Sequence, residues 1–124
     1  MSVFDLKIHS KGGYESELLP LWKECYKKYT TIDSQEDTLP YASWQHMTTG
    51  YNAGYYSYLY SEIIAKDLFS VFQEKGVLDE QVGREFRKKI LEPVCIEDGN
   101  DMVRSFLGRD FNQKAFLKSL KIEN

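Results

Sequence analysis

The sequence predicts an irregular all-α domain, and three observations carry that expectation. Apolar residues recur at spacings of three and four over two long stretches. Asp, Gly and Pro stand where helices of the second half would start and stop. The one apolar alternation, Phe4, Leu6 and Ile8, is short. Read alone, that alternation is a weak strand, and so few residues do not settle it. From Tyr14 a helical pattern sets in, with Leu18, Leu21, Trp22, Cys25, Tyr26 and Tyr29 in phase. Pro20 falls inside it, so either the helix starts near Leu19 or its first turn absorbs the proline. Residues 30 to 50 carry a polar run from Asp33 to Asp37, then Pro40 and Gly50, and are expected to form an extended loop of functional length.

The longest helix is expected from about Gly54 to Lys75, ending at Gly76. It is apolar nearly all round (Tyr55, Leu59, Ile63, Ile64, Leu68, Phe69, Phe72), which calls for burial on most sides. Asp79 caps a following helix through Val82, Phe86, Ile90 and Leu91 that Pro93 ends, and Asp98 opens another that closes at Gly108. A short last helix carries Ala115, Phe116, Leu117 and Leu120. Four short helices cover only part of so apolar a long one, so the chain reads as part of something larger.

The 124 residues suit a single domain, 1–124, and their 42% apolar and 28% charged content is that of an ordinary globular chain. A net charge of −3 argues against a nucleic-acid partner or an anionic membrane surface. No stretch is apolar for long enough to span a bilayer, and Asp5 and Lys7 interrupt any signal-peptide core. Cys25 and Cys95 form no CxxC pair and too few bonds for a disulfide scaffold, so a reduced, cytoplasmic setting is expected. A mitochondrial one would follow from a targeting segment upstream of Met1.

Self-contained metal or nucleophile chemistry finds no support. His9 and His46 are the only histidines, and there is no HExxH, ligand-spaced cysteine pair or EF-hand. Cys25 sits on an amphipathic face and reads as a small core residue. What stands out is tyrosine: of 9 in the chain, Tyr41, Tyr51, Tyr55, Tyr56, Tyr58 and Tyr60 crowd one stretch. If helix begins near Asn52, Tyr51, Tyr55, Tyr58 and Glu62 share a face, with His46 just upstream on a glycine-containing loop. Neutral phenols donate hydrogen bonds, so such a file suits gripping a peptide backbone or stabilising an oxyanion. A tyrosine stripe that simply fills a core is the competing reading.

The run HMTTGYNAGYYSYLYSE from His46, the following KDLFSVFQEKGVLDEQVGREFRKKILEP, and the later FLGRD and AFL together resemble the C-terminal end of the thimet oligopeptidase and neurolysin family of zinc metallopeptidases. The resemblance runs from about Phe4 to Leu120 and is stronger to that branch than to the mitochondrial intermediate peptidase branch. It implies a larger, mostly helical peptidase fold of which this chain is the C-terminal part, and helix rather than strand for the first ten residues. It implies zinc as the family's cofactor, held by an HExxH half that this chain would follow, with no metal ligand here. It implies short peptides as substrates and the zinc-bearing N-terminal part of the same peptidase as partner. Tyr58 would donate to the oxyanion as a catalytic residue, His46 and Tyr51 would grip the peptide near the scissile bond, and Tyr55 would bind its backbone. Gln45 and Thr49 depart from the family's usual glycines, and Val94, Cys95 and Phe111 depart in later turns. On this reading the chain alone is inactive. A stand-alone peptide-binding or interaction module that lost its zinc half is the alternative. An aromatic platform for single-stranded nucleic acid is disfavoured by the charge.

Overall fold

The computed structural model describes residues 1–12, 17–94 and 96–122, and among them the fold is all-α, without a strand. Helix α1 spans Ser2–His9, so the first residues are helical. Helix α2 spans Leu18–Thr30 and takes Pro20 into its first turn, where a missing N–H costs no helical hydrogen bond. The expected start at Tyr14 lies outside the described residues, as does Cys95. Residues 31–56 form turns, including two short 3₁₀ segments, Pro40–Ser43 and Gln45–Thr48. Helix α3 spans Ser57–Lys75, later than the expected starts at Asn52 or Gly54. Helix α4 spans Glu80–Phe86, with the Asp79 carboxylate accepting from the Val82 N–H at 2.9 Å, and it continues as a π-helical turn, Arg87–Leu91. Helix α5 spans Gly99–Leu107, capped by Asp98 and stopped by Gly108 at φ 71°, a left-handed turn that a glycine takes without strain. Helix α6 spans Lys114–Ser119.

The chain divides into two compact units, Met1–Tyr58 and Leu59–Asn124. The first is built around Phe4, Trp22, Cys25 and Trp44, all buried, as α1 lays Phe4 against α2. The Phe4 ring meets Trp22 edge-on at 5.1 Å, and Trp22 stacks on Tyr26 at 6.0 Å. Such aromatic pairs add about 0.5–1.5 kcal/mol each beyond the area they bury. Cys25 is a buried free thiol, in keeping with a core role.

In the second unit Phe72 packs against Phe86 and Phe106 at 5.7 and 6.1 Å, a three-ring knot tying α3 to α4 and α5. Within the chain α3 is covered on only part of its surface, as its apolar sequence and few short neighbours implied. Asp67 is its one buried residue, while Leu59 and Phe69 stay 48% and 44% exposed. An all-round apolar helix needs cover on every side, and three short helices supply it on part of the circumference. Leu78 and Ile96 project almost bare, at 96% and 83% exposed.

Asp67 is held by both Arg109 guanidinium nitrogens, at 2.7 and 2.8 Å, and by the Asn112 N–H at 2.9 Å. The hydrogen bonds from Arg109 lead in holding its carboxyl below the ordinary carboxylate range; burial works against them, and the Asn112 N–H and the Arg109 charge reinforce them. The sign follows from linkage: a depressed native pKa gives stability that is present above the unfolded value, about 3.9, and lost as pH falls from there through the lower native value. An acid titration of the Phe72 region is therefore expected to show stability falling below about pH 4. Arg109→Met should flatten that limb, and an unchanged limb would show that another carboxylate sets it.

Candidate functional site

Four side chains singled out by the sequence, His46, Tyr51, Tyr55 and Tyr58, come together in the first unit. The segment that carries the tyrosines turns before it becomes helix. Its hydrogen bonds run three residues back, from Gly54 N–H to Tyr51 O (2.9 Å), Ser57 N–H to Gly54 O (3.0 Å) and Tyr58 N–H to Tyr55 O (3.4 Å). The tyrosines nevertheless meet, because Tyr55 and Tyr58 stand one such turn apart and a left-handed residue, Ala53 at φ 56°, redirects the chain between Tyr51 and Tyr55.

Tyr51 and Tyr58 stack with centroids 5.8 Å apart, and Tyr55 lies 5.2 Å from Tyr58. His46 stands edge-on to both Tyr51 and Tyr55 at 5.5 Å. Tyr55 is half-buried and rooted edge-on to Trp44 at 4.5 Å, whereas Tyr51 and Tyr58 are 45% and 53% exposed. The cluster thus has a fixed base and two phenols in reach of solvent. The Tyr58 phenol is pushed above the ordinary tyrosine range, first by hydrogen-bonding proximity of the Tyr51 hydroxyl, then by desolvation and by the charge that Tyr51 or Tyr55 would carry. A phenol held neutral in this way is a donor at any physiological pH. His46 Nδ1 and Trp44 Nε1 are buried without a hydrogen-bond partner among the described residues.

Glu62, placed by helical spacing on the same face, lies in the second unit. Tyr60 packs edge-on to Phe111 at 5.6 Å within that unit.

One residue of this site escaped the sequence reading. Asp5 is fully buried, and its two carboxylate oxygens accept from the Ala53 N–H at 3.1 Å and the Tyr55 N–H at 3.0 Å. His9 Nδ1 lies 2.9 Å from both Oδ1 and the backbone oxygen of Asp5. Both of those atoms are acceptors, so Nδ1 carries the hydrogen. The available signal was a carboxylate beside Phe4 on the core face, with a histidine four residues on.

A family model for peptidase family M3 matches residues 1–122. The chain belongs to peptidase family M3. It is 31% identical over 97% of its length to a thimet-like oligopeptidase of Dictyostelium discoideum. It is 33% identical over 98% to saccharolysin of Saccharomyces cerevisiae, and 30% identical over 98% to oligopeptidase A of Escherichia coli. This M3 chain spans 18% of the length of each of those relatives. Family M3 is zinc-dependent. Among the described residues no group of three or more His, Cys, Asp or Glu converges to hold a metal ion. No helix among the described residues is long and apolar enough to cross a membrane.

Proposed function

We propose that residues 1–124 are the C-terminal, substrate-facing portion of an M3 oligopeptidase. The aromatic cluster binds the backbone of a short peptide, and Tyr58 donates to the carbonyl oxygen under attack. The observation that supports this reading most is the gathering of His46, Tyr51, Tyr55 and Tyr58, with the outer two phenols exposed above a rooted third. Tyr55 holds the base and offers its hydroxyl to the peptide backbone, and Tyr51 and His46 flank the scissile bond. A neutral phenol binds a ground-state carbonyl modestly and an oxyanion strongly, which makes Tyr58 a catalytic rather than a purely binding residue.

The partner in this proposal is the zinc-bearing N-terminal part of the same peptidase, which supplies the metal and the general base that activates water. Its helices would also cover α3, whose apolar side chains are left half-exposed. The compartment proposed is the cytoplasm, or the mitochondrion if a targeting segment precedes the chain.

The isolated chain is expected to bind no stoichiometric zinc and to hydrolyse no peptide. Metal analysis after dialysis, with a quenched fluorescent peptide assay, checks this. Zinc at one per chain with chelator-sensitive turnover would refute it. Mixing the chain with a zinc-bearing M3 half tests the proposal itself: restored turnover supports the peptidase reading, and peptide binding without turnover supports a stand-alone binding module.

A further inference from the structure

Asp5 lies in α1, some fifty residues before the tyrosines, and belongs to no motif of the aromatic cluster. Its side chain is nevertheless the most completely buried polar group in the first unit, at 0% exposed. Burying a carboxylate is costly unless each of its oxygens finds a donor. Here the donors are the backbone N–H groups of Ala53 and Tyr55, with His9 completing the set. These two amides bracket the one place where the segment bends out of ordinary geometry. Ala53 holds φ 56°, a left-handed conformation that costs a residue with a Cβ on the order of 1 kcal/mol. Two residues later Tyr55 places its ring against Trp44, His46 and Tyr58.

We propose that Asp5 is the positioning residue of the tyrosine site: its carboxylate tethers the Ala53 and Tyr55 amides and so fixes the turn that brings Tyr51, Tyr55 and Tyr58 together to meet a peptide. The peptide part rests on the function proposed above, whereas the tether does not.

Asp5→Asn is the discriminating variant, because it keeps the shape and removes one acceptor. In either orientation its NH₂ faces an N–H that the carboxylate had satisfied. Amide hydrogen exchange on the whole chain reads the tether directly. In the wild type, the Ala53 and Tyr55 amides are expected to exchange at least about tenfold more slowly than Gly50. In Asp5→Asn they should speed up about tenfold while α2 amides around Cys25 stay within about twofold. Binding of a short, end-blocked alanine-rich peptide reads the consequence. Asp5→Asn should weaken it about tenfold, Tyr56→Phe should not, and adding Ala53→Gly to Asp5→Asn should recover part of the loss by removing the left-handed strain.

Unchanged exchange at Ala53 and Tyr55 in Asp5→Asn, or release of both amides with peptide affinity intact, overturns the proposal. If Asp5→Asn melts α1 and α2 as well, the wild type decides alone, and Ala53 and Tyr55 amides as fast as Gly50 overturn it. A wild-type chain with protected amides and no affinity for the peptide upholds the tether and refutes the peptide-binding function instead.

Discussion

Tyr58→Phe, in a chain reunited with a zinc-bearing M3 half, is expected to lower kcat by about 100-fold while KM changes little. The phenol's hydrogen bond strengthens as the carbonyl oxygen gains charge, so its loss is felt in the transition state rather than in binding. Tyr58 is suited to this because it is 53% exposed, stacked on Tyr51, and held neutral beside it. Tyr51→Phe and His46→Ala should act in the same direction more weakly. Tyr55→Phe should raise KM, since Tyr55 sits half-buried at the base of the cluster. Tyr56 and Tyr60 serve as packing controls, Tyr60 being engaged with Phe111. Steady-state kinetics decide the assignment. A Tyr58→Phe kcat within about twofold of wild type, alongside a Tyr56→Phe loss of about tenfold, would mean that the other face of this segment meets the substrate.

Phe4→Ala carries the largest expected effect on stability. Phe4 is 1% exposed and touches Trp22 at 5.1 Å and Tyr41 at 5.9 Å, so removing its ring opens a cavity between α1 and α2. Large-to-small changes of this kind cost about 3–5 kcal/mol. A small unit with a total of about 5–15 kcal/mol feels that as a large fraction. Urea unfolding followed by tryptophan fluorescence, which reports on Trp22 and Trp44, measures it. Leu6→Ala, at a position 43% exposed on the same helix, should cost well under half as much. Equal costs for the two would remove Phe4 from the centre of this core.

What could be read from residue order was whatever depends on local spacing. The α2 face appeared because Leu21, Trp22, Cys25 and Tyr26 recur in helical phase, and the two Asp caps appeared because capping is a local contact. Helical spacing expected Tyr51, Tyr55 and Tyr58 to share a face, and they do meet, but on a turn at Ala53 rather than on a helix; His46 came from the family resemblance and its place just upstream, not from periodicity. Where α3 begins was not legible, because Ala53 is left-handed and two amides are claimed by Asp5 from another helix. No pattern within residues 46–62 encodes that. Asp67 with Arg109 was hidden likewise, since the partners lie 42 residues apart. That α3 stays partly bare was legible as well, because apolar periodicity states what a helix needs and the four short helices that the sequence offers are too few to supply it.

The Asp5 hydrogen bonds close loops of 48 and 50 residues. In an unfolded chain, bringing such distant ends together forfeits on the order of 3 kcal/mol of chain entropy. That loss is recovered only when α1 has docked, so the tyrosine turn is ordered late in folding and released early in any local opening of the N-terminal helix. The dependence runs both ways. A peptide that engages only the ordered turn also holds α1 in place, by about 2.7 kcal/mol at a concentration one hundred times its dissociation constant. A helix that the peptide never contacts would thus become part of its binding equilibrium, and occupancy at the tyrosines could be followed from the fraying of residues 2–9.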